Sequence, residues 1–355
     1  MSGSPEGRRT ITMPAGENAA SVKKLVTELA TALRRRVLPE LGSHAGRARL
    51  QAGAGGDVTF AIDQGAERFL ELFLRERAPQ AAFYSEDRGL VMPRKKGGQS
   101  PTGSTGFGQE DVGEDPDRVV LVVDPIDGTR PAMAGLESCC VSVAAASLGD
   151  GRPTMSDVEV GCIVEIKTGA VFTAQRGRGL ELHDASSHPT RPALSSNSDL
   201  SALFWSSGFR GRPAEPVVGV LGELIDISSV GGAFFDLGSA TFDLTRIVTG
   251  QLDAYVDVGS LMIEERPELR ASFERVGGGA VLNNSPYDLA AAVLCLEEAG
   301  ASVTDARGRG LGERPLLGSG HEFQMSCVAA SNPDLHSKLL DAVNRGIDRF
   351  LARSR

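Results

Sequence analysis

The stretch VVDPIDGTRP, residues 122–131, ends a hydrophobic segment in two aspartates, Asp124 and Asp127. Residues 119–123, which lead into Asp124, are all valine or leucine, a composition typical of a strand that is buried on both faces. Open α/β sheets place ligands at the carboxyl ends of their strands, and this strand would bring two carboxylates and a backbone carbonyl there. Hard divalent cations prefer such clusters of oxygen ligands. The stretch therefore predicts a metal centre at the edge of a sheet.

The residues after Asp127 predict an anion site beside the metal. Gly128 lets the backbone approach a ligand closely, and the amides of Gly128 and Thr129 would point outward if a helix begins there. A metal centre beside an anion site favours a phosphorylated substrate. The alternative is a solvated turn, because aspartate, proline and glycine are also ordinary turn residues.

Two further acidic segments favour the metal centre over the turn. Glu86 and Asp87 follow the segment 82–85, so a second predicted strand also ends in carboxylates. Asp288 lies in the first turn of an apolar helical segment. Taken alone, Asp288 would be interpreted as a favourable charge at a helix N-terminus. Taken together, the three segments favour a metal site over a solvated turn.

Length and composition limit the possible partners. The chain has 355 residues, 41% hydrophobic and 23% charged, so it can bury a large core, and its length favours two domains. A net charge of −9 argues against nucleic acid or an anionic membrane as the main partner, because both bind basic surfaces. No stretch approaches the roughly 18 uncharged apolar residues of a membrane-spanning helix. The sequence thus predicts no nucleic-acid partner and no membrane partner.

The cysteines and the amino terminus predict a cytoplasmic protein. The five cysteines are an odd number and none is spaced as Cys-x-x-Cys, which favours buried free thiols in a reducing compartment. The first twenty residues contain no apolar run, so they are interpreted as a loose tail and not as a signal peptide.

Helical and strand periodicities alternate along the chain and predict a layered α/β protein. Strands are predicted at Ala82–Ser85, Val119–Val123, Cys140–Ala146, Val158–Glu165 and Ala170–Ala174, and helices at Gly238–Thr249 and Pro286–Ala299. The predicted division is a flexible tail at 1–20, an N-terminal α+β domain at 21–185 and a C-terminal α/β domain at 186–355. Residues 88–117 are rich in glycine, proline, serine and charge, and they predict a mobile insertion.

These segments together resemble the inositol monophosphatase family, the magnesium-dependent, lithium-sensitive sugar phosphatases related to fructose-1,6-bisphosphatase. The resemblance extends from about residue 20 to 350. It is carried by DVTFAIDQGAE at 57–67, Glu86 with Asp87, DPIDGT at 124–129, GSATFDLTRIVTGQLDAYVD at 238–257, YDLAAAVLCLEEAGA at 287–301 and the closing VAASNPDLHSKLL. It implies a sandwich of alternating α and β layers in two α+β halves, the sugar-phosphatase fold. It also implies a phosphoric monoester hydrolase.

Carried over position by position, the resemblance implies three groups of site residues. The implied metal ligands are Glu86, Asp124, Asp127, Asp288 and the backbone carbonyl of Ile126. The implied catalytic residues are Thr129 and Glu86, which would activate the attacking water, and Asp63, which would act near the metal through water. The implied substrate contacts are Gly128, Thr129, Ser239, Ala240 and Asp257.

The resemblance also implies cofactors and partners. Two or three Mg²⁺ ions, with Mn²⁺ as a substitute, would neutralise the phosphate, lower the pKa of a water molecule and stabilise the leaving alkoxide. The implied partner is a small phosphorylated substrate, the expected assembly is a homodimer, and lithium is expected to inhibit. A phospho-aspartate mechanism of the haloacid dehalogenase type is rejected, because its two aspartates are separated by one residue and here two residues separate them.

Departures from the family pattern leave the substrate open. Arg130 follows DPIDGT where many relatives have threonine, and the sequence DGTR also occurs in histidinol-phosphate phosphatases of this fold. Tyr287 stands where a tryptophan often precedes the last metal aspartate, and residues 260–286 replace a much shorter connection. The leading substrate is a small polyol, sugar or inositol phosphate. The alternatives are histidinol phosphate, a nucleotide 3'-phosphate, or a non-catalytic binding role. Residues 260–286 are predicted to form a wall or lid that narrows substrate choice.

Overall fold

The computed structural model describes residues 19–52, 58–93, 118–149 and 152–352. Residues 1–18 of the predicted tail and residues 94–117 of the predicted insertion lie outside this range. The α-helices are α1 Ala19–Val37, α2 Ala61–Arg77, α3 Thr129–Ala134, α4 Ala214–Ile227, α5 Ala240–Val248, α6 Gly259–Glu265, α7 Arg270–Val276, α8 Pro286–Ala299 and α9 Pro333–Ala352. The strands are β1 Arg49–Ala52, β2 Val58–Phe60, β3 Ala82–Ser85, β4 Gly89–Val91, β5 Val119–Asp127, β6 Cys140–Ser147, β7 Val158–Glu165, β8 Val171–Gln175, β9 Gly179–His183, β10 Pro189–Thr190, β11 Phe204–Ser206, β12 Ala233–Phe235, β13 Ala254–Asp257, β14 Ser302–Thr304 and β15 Cys327–Ala330.

The larger strands form two mixed sheets. The first sheet has eight strands in the order β10-β9-β8-β7-β6-β5-β3-β4, and within it only β3 and β5 pair in parallel among the described strands. The second has five strands in the order β12-β11-β13-β15-β14, with β11 parallel to both of its neighbours. A separate antiparallel pair, β1 and β2, precedes α2.

Three hydrophobic cores lie between the layers. The first joins α1 and α2 to the first sheet, the second joins the other face of that sheet to α5, α8 and the second sheet, and the third joins the second sheet to α4 and α9. Strand β5 lies between two of them, since Leu121 and Val123 face the first core while Val120 and Val122 face the second. Burial on both faces accounts for its unbroken run of apolar residues. The predicted sandwich of alternating α and β layers is confirmed.

The segment 260–286 is part of the folded core. Its helices α6 and α7 bury Leu261, Met262 and Phe273 in the third core. The charged side chains lie on the other side of this segment, where Arg270 and Glu274 form an exposed ion pair. Residues 260–286 are therefore not simply a solvated loop on the surface, and their role as a wall beside the site remains a prediction.

Candidate metal centre and active site

The parallel pairing of β3 and β5 brings two acidic strand ends to one edge. Ser85 lies opposite Val123, so the residues that follow them, Glu86 and Asp124, lie side by side at the ends of the paired segments. Beyond Asp124 the pairing of β5 with β6 shifts register before it resumes at Asp127. Pro125 has no N–H group to donate, which accounts for a break at this point. The irregular strand end presents Asp124 and Asp127 together at the edge of the sheet.

Gly128 is required by the turn that follows Asp127. Its φ is +88°, and a β-carbon at this position would lie 2.5 Å from the carbonyl oxygen of Ser138 and 2.9 Å from the β-carbon of Ser239. Any other residue would therefore collide with its neighbours. The chain then enters the six-residue helix α3 at Thr129.

Three carboxylates converge from the two halves of the chain. Asp124, Asp127 and Asp288 each present an oxygen, and these oxygens all lie within 4.8 Å of one another. Asp288 is the third residue of α8, where its carboxylate accepts a hydrogen bond of 2.6 Å from the amide of Ser285. The geometry thus brings these three aspartates to one place, which we call the acidic centre, and their role as metal ligands remains a prediction.

Hydrogen bonds fix one oxygen of each carboxylate. Asp127 accepts bonds at Oδ2 from the hydroxyl of Ser239 at 2.9 Å and from the amide of Thr241 at 2.6 Å. Asp124 accepts a bond at Oδ1 from the amide of Ile126 at 2.9 Å. The hydroxyl of Thr241 also donates to the carbonyl oxygen of Asp288 at 2.8 Å, which joins α5 to α8. The three carboxylates are therefore oriented before any ligand binds.

The electrostatics of this acidic centre favour a cation. Burial raises the pKa of Asp288 to about 8 and the pKa of Asp124 well above its usual range. The negative charges of Glu86 and Asp127 raise the pKa of Asp124 further. The charge of Asp127 raises the pKa of Asp288 in the same way. A divalent cation would remove both penalties, because it would replace the lost solvation and offset the negative charge.

The donor set and the available space also fit a small hard cation. The side chains of the acidic centre offer oxygen and no nitrogen or sulfur, a set that suits Mg²⁺, Mn²⁺ or Ca²⁺. Beside it is a small cavity of about 10 Å³, room for a single water-sized sphere. Its lining comprises Asp63, Glu67, Glu86, Asp87, Asp124, Pro125 and Ile126. Glu86 therefore borders the acidic centre from the neighbouring strand.

Thr129 and Asp63 form a hydrogen-bonded pair at the side of the acidic centre. The hydroxyl of Thr129 lies 3.1 Å from Oδ1 of Asp63 and 3.1 Å from the carbonyl oxygen of Ile126. Oδ2 of Asp63 accepts a bond of 2.9 Å from the amide of Phe60, the residue before α2. Burial raises the pKa of Asp63 to about 7, and the negative charge of Asp87 adds to this shift. Asp63 thus contacts Thr129 directly, which the sequence did not predict.

Glu67 is an acidic residue that the sequence reasoning did not single out. It lies one helical turn after Asp63 on α2, is only 3% exposed and accepts a hydrogen bond of 2.9 Å from the hydroxyl of Ser85. Burial raises its pKa to about 7. The signal that could have found it is its spacing of four residues from Asp63, which places both carboxylates on one face of the helix.

The predicted substrate contacts occupy different surroundings. Ser239 is buried and its hydroxyl donates to Asp127, and Ala240 is the first, partly buried residue of α5. Asp257 is fully buried in an ion pair with Arg212 and accepts a bond of 2.9 Å from the amide of Gly259. The part of Asp257 in substrate binding remains a prediction, and Arg212 is a partner that sequence reasoning missed.

Comparison with known proteins places this geometry in a family. The model of the inositol monophosphatase family matches residues 20–348. The fructose-1,6-bisphosphatase/inositol-1-monophosphatase of Methanothermobacter thermautotrophicus is 26% identical over 323 residues, which are 90% of this chain and 96% of the relative. Nus factor SuhB of Escherichia coli is 25% identical over 307 residues, which are 83% of this chain and 88% of the relative.

Solved structures share the fold. The extragenic suppressor protein suhB of Bartonella henselae matches with a TM-score of 0.63 and 21% identity, over 92% of this chain and 99% of that one. The inositol monophosphatase of Anabaena matches with a TM-score of 0.60 and 20% identity, over 93% and 97% of the two chains.

Within the described residues, no helix has the length and apolar character needed to cross a membrane. The absence of a nucleic-acid partner, the cytoplasmic location and the homodimer remain predictions.

Because the family model spans almost the whole chain and the family's members are phosphatases, this chain belongs to the inositol monophosphatase family and is a phosphoric monoester hydrolase.

Proposed function

We propose that the protein is a Mg²⁺-dependent phosphomonoesterase that hydrolyses a small polyol, sugar or inositol phosphate by attack of an activated water. One observation carries the proposal: oxygens of Asp124, Asp127 and Asp288 lie within 4.8 Å of one another although Asp288 is distant from the other two along the chain. Burial raises the pKa values of these carboxyls, so the arrangement is costly without a cation.

The residues that would hold the metal are Glu86, Asp124, Asp127, Asp288 and the carbonyl of Ile126, with Mg²⁺ as the expected ion and Mn²⁺ as a substitute. When bound, two or three such ions would supply positive charge to the phosphate, a lowered pKa for water and stabilisation of the leaving oxygen. Neutral side chains in these positions would not offset that much positive charge. The hydrogen bonds from Ser239 and Thr241 hold Asp127 in one orientation, so Ser239 supports the acidic centre as well as any substrate contact.

Thr129, Asp63 and Glu86 are the residues that would direct the water. The hydroxyl of Thr129 can donate its proton to Asp63 while its oxygen accepts a hydrogen bond from water. Burial raises the pKa of Asp63 to about 7, which suits a group that accepts a proton near neutral pH. As the new P–O bond forms, the proton of the water passes toward this pair, the ester P–O bond breaks, and the leaving alkoxide takes a proton from solvent.

A screen of phosphatase activity tests the proposal. Purified protein would be assayed against sugar, inositol, nucleotide and amino-alcohol phosphates with Mg²⁺, with Mn²⁺, and after treatment with a chelator. We expect release of inorganic phosphate that is lost with the chelator, restored by Mg²⁺ and inhibited by millimolar lithium but not by sodium. No hydrolysis of any substrate with either metal would favour the non-catalytic binding role, and activity that persists in the chelator would contradict the proposed mechanism.

A further inference from the structure

A buried group of polar side chains lies beside the start of α8. It consists of Arg212, Tyr255, Asp257 and Asn284, and we call it the Asn284 network. Arg212 comes from the loop between β11 and α4, Tyr255 and Asp257 from β13, and Asn284 from the segment before α8. All four side chains are buried. Three distant parts of the chain thus meet in one polar site inside the protein.

Both oxygens of Asp257 are engaged by partners within the protein. Oδ1 accepts a hydrogen bond of 2.9 Å from the amide of Gly259. Oδ2 forms the ion pair with Nη2 of Arg212 and lies 3.4 Å from the hydroxyl of Tyr255. The side chain of Asp257 is 0% exposed. Reaching a substrate hydroxyl would require this carboxylate to leave partners that offset its buried charge.

Asn284 joins Asp257 to the main chain before α8. Its Nδ2 donates to the hydroxyl of Tyr255 at 3.0 Å, and its Oδ1 lies 3.4 Å from Nη2 of Arg212. Its carbonyl oxygen accepts a bond of 2.9 Å from the amide of Met325. The side chain and the backbone of Asn284 are therefore fixed separately, one through β13 and Arg212 and the other through the residues before β15.

One peptide unit connects Asn284 to the acidic centre. The carbonyl of Asn284 and the N–H of Ser285 belong to the same planar peptide, so fixing one fixes the direction of the other. That N–H donates to Oδ2 of Asp288 at 2.6 Å. Ser285 is the N-cap of α8, and its carbonyl oxygen accepts a bond of 3.1 Å from the amide of Asp288. The orientation of Asp288 therefore depends on a peptide that the Asn284 network holds.

Close packing leaves this part of the chain little freedom. A β-carbon at Gly259 would lie 2.1 Å from Oδ1 of Asn283 and 3.1 Å from Nε of Arg212. Gln324 holds the same segment by donating to the carbonyl oxygen of Val281 at 2.7 Å and accepting from the amide of Asn283 at 3.3 Å. In so tightly packed a region, a shift of the network is passed on to the start of α8.

We infer that Asp257 is a positioning residue: through the Asn284 network it holds the amide of Ser285, and thereby keeps Asp288 facing Asp124 and Asp127. The family resemblance implies a substrate contact at Asp257, and this inference gives it a different role. Partners that orient a metal ligand contribute to metal affinity without touching the metal. The inference rests on the proposed function, in which Asp288 is a metal ligand, and deepens it.

Direct titration with Mn²⁺ tests the inference without any substrate. Metal-free protein would be titrated with Mn²⁺, and electron paramagnetic resonance would measure the free ion. Asn284→Ala removes the side chain that joins the network to the peptide before α8, and Tyr255→Phe removes one hydroxyl. Ser228→Ala is the control, because Ser228 is a buried hydroxyl that bonds Trp205 and the carbonyl oxygen of Leu224, outside the network.

We expect Asn284→Ala to bind at least one Mn²⁺ ion about tenfold more weakly than the wild type, and Tyr255→Phe about threefold more weakly. The control should bind Mn²⁺ as the wild type does, which separates positioning from a general loss of stability. Equal binding by the wild type and Asn284→Ala would overturn the inference.

A substrate pair separates positioning from substrate contact. The pair is the best sugar or inositol phosphate of the screen and p-nitrophenyl phosphate, which has no sugar hydroxyls. At subsaturating Mg²⁺, Asp257→Asn should lower kcat/KM for both by a similar factor of about tenfold or more. A loss confined to the hydroxyl-bearing substrate, with unchanged Mn²⁺ binding, would overturn the inference. Tyr255→Phe takes the same test if Asp257→Asn does not fold, since that variant leaves the charge of Arg212 buried and unpaired.

Hydrogen exchange separates failure of this inference from failure of the proposed function. The Ser285 amide donates to Asp288, so its exchange rate in metal-free protein, measured by nuclear magnetic resonance, reports on the bond that orients the carboxylate. Asn284→Ala and Tyr255→Phe should raise that rate about fivefold or more relative to the amides of α9, whereas Ser228→Ala should not. Such a rise would support the network even if the wild type bound no Mn²⁺, a result that would contradict the proposed function. An unchanged rate in both network variants would overturn the inference.

Discussion

The acidic centre and the Asn284 network meet at the start of α8 but are built in different ways. Asp124 and Asp127 are only 2% and 8% exposed, and the side chains that converge there are all carboxylates. Asp257 is buried as deeply, but Arg212 offsets its charge. Like charges held together favour a cation, whereas a paired and hydrogen-bonded carboxylate is complete without a ligand. The first region should determine whether reaction occurs, and the second how firmly Asp288 is held for it.

The largest effect should come from the acidic centre and its neighbour Glu86. Asp124→Asn, Asp127→Asn and Glu86→Gln each remove a negative charge that would hold the metal, and each should lower kcat by about a hundredfold or more. The measurement is steady-state hydrolysis of the best substrate with Mg²⁺, with circular dichroism to verify folding. Asp341→Asn, which changes an exposed aspartate of α9, is the control and should keep full activity. Near wild-type kcat in a folded Asp124→Asn protein would refute the assignment.

The Thr129–Asp63 pair should have the next largest effect. Thr129→Val keeps the shape of the side chain but removes the hydroxyl that contacts Asp63, and should lower kcat by about tenfold to a hundredfold. Thr129→Ser keeps a hydroxyl and should retain most of the activity. If the valine and serine variants lose activity equally, the methyl group and not the hydroxyl matters, and the proposed proton path is wrong.

The acidic centre was predictable from the sequence only in part. A run of valines that ends in Asp-Pro-Ile-Asp-Gly predicts carboxylates at a strand end from residue type and spacing, whereas Asp288 alone is typical of a helix N-terminus and was assigned to the same site by the family resemblance. Strands β3 and β7 and helix α8 were likewise predicted with the bounds that the structure has. Glu67 was missed because a glutamate on a helix is usually solvated, and only the tertiary fold shows that this one faces Ser85.

The Asn284 network could not be predicted in the same way. Its members are at positions 212, 255, 257 and 284, and nothing in any one segment shows that these side chains meet. The burial of residues 260–286 was hidden for a similar reason. In α7 the hydrophobic Phe273 is followed directly by the charged Glu274 and Arg275, and only packing against the third core reveals which face is inside.

The pH dependence of stability should separate the two regions further. In the folded state the pKa of Asp63 is raised to about 7 and that of Asp288 to about 8, both from the ordinary value of 3.8. Between pH 3.8 and these raised values, the native protein therefore binds more protons than the unfolded chain. Without metal, the contribution of these two groups to the free energy of unfolding should therefore be most favourable near pH 3.8 and should fall as pH rises toward 8. Chelated protein should show a lower Tm at the upper end of this window than at the lower end, and Mg²⁺ should reduce the difference.

Variants provide the control for this pH effect. Asp124→Asn relieves repulsion in the acidic centre and should weaken the fall of Tm with pH, whereas Tyr255→Phe changes no charge in this window and should lower Tm by a similar amount throughout. A chelated wild type whose Tm rises steadily from acid to neutral pH would contradict the raised pKa values of the acidic centre.

The smallest effect on kcat should come from the Asn284 network. Tyr255→Phe removes one hydroxyl of this network and leaves every carboxylate of the acidic centre in place. At saturating Mg²⁺ it should therefore lower kcat by about threefold or less. Ser228→Ala, which removes a buried hydroxyl outside the network, is the matched control and should keep full kcat. A loss as large as that of Asp124→Asn would mean that the two regions act as one.

The central claim is that carboxylates from both halves of the chain hold the catalytic metal together. Its most direct test is a crystal grown with Mn²⁺, whose anomalous scattering locates the ion independently of the protein atoms. The account predicts an anomalous peak coordinated by Asp124, Asp127 and Asp288, and loss of that peak in Asp288→Asn crystals. A peak at some other group of residues, or a fully occupied peak that persists when Asp288 is changed, would contradict it.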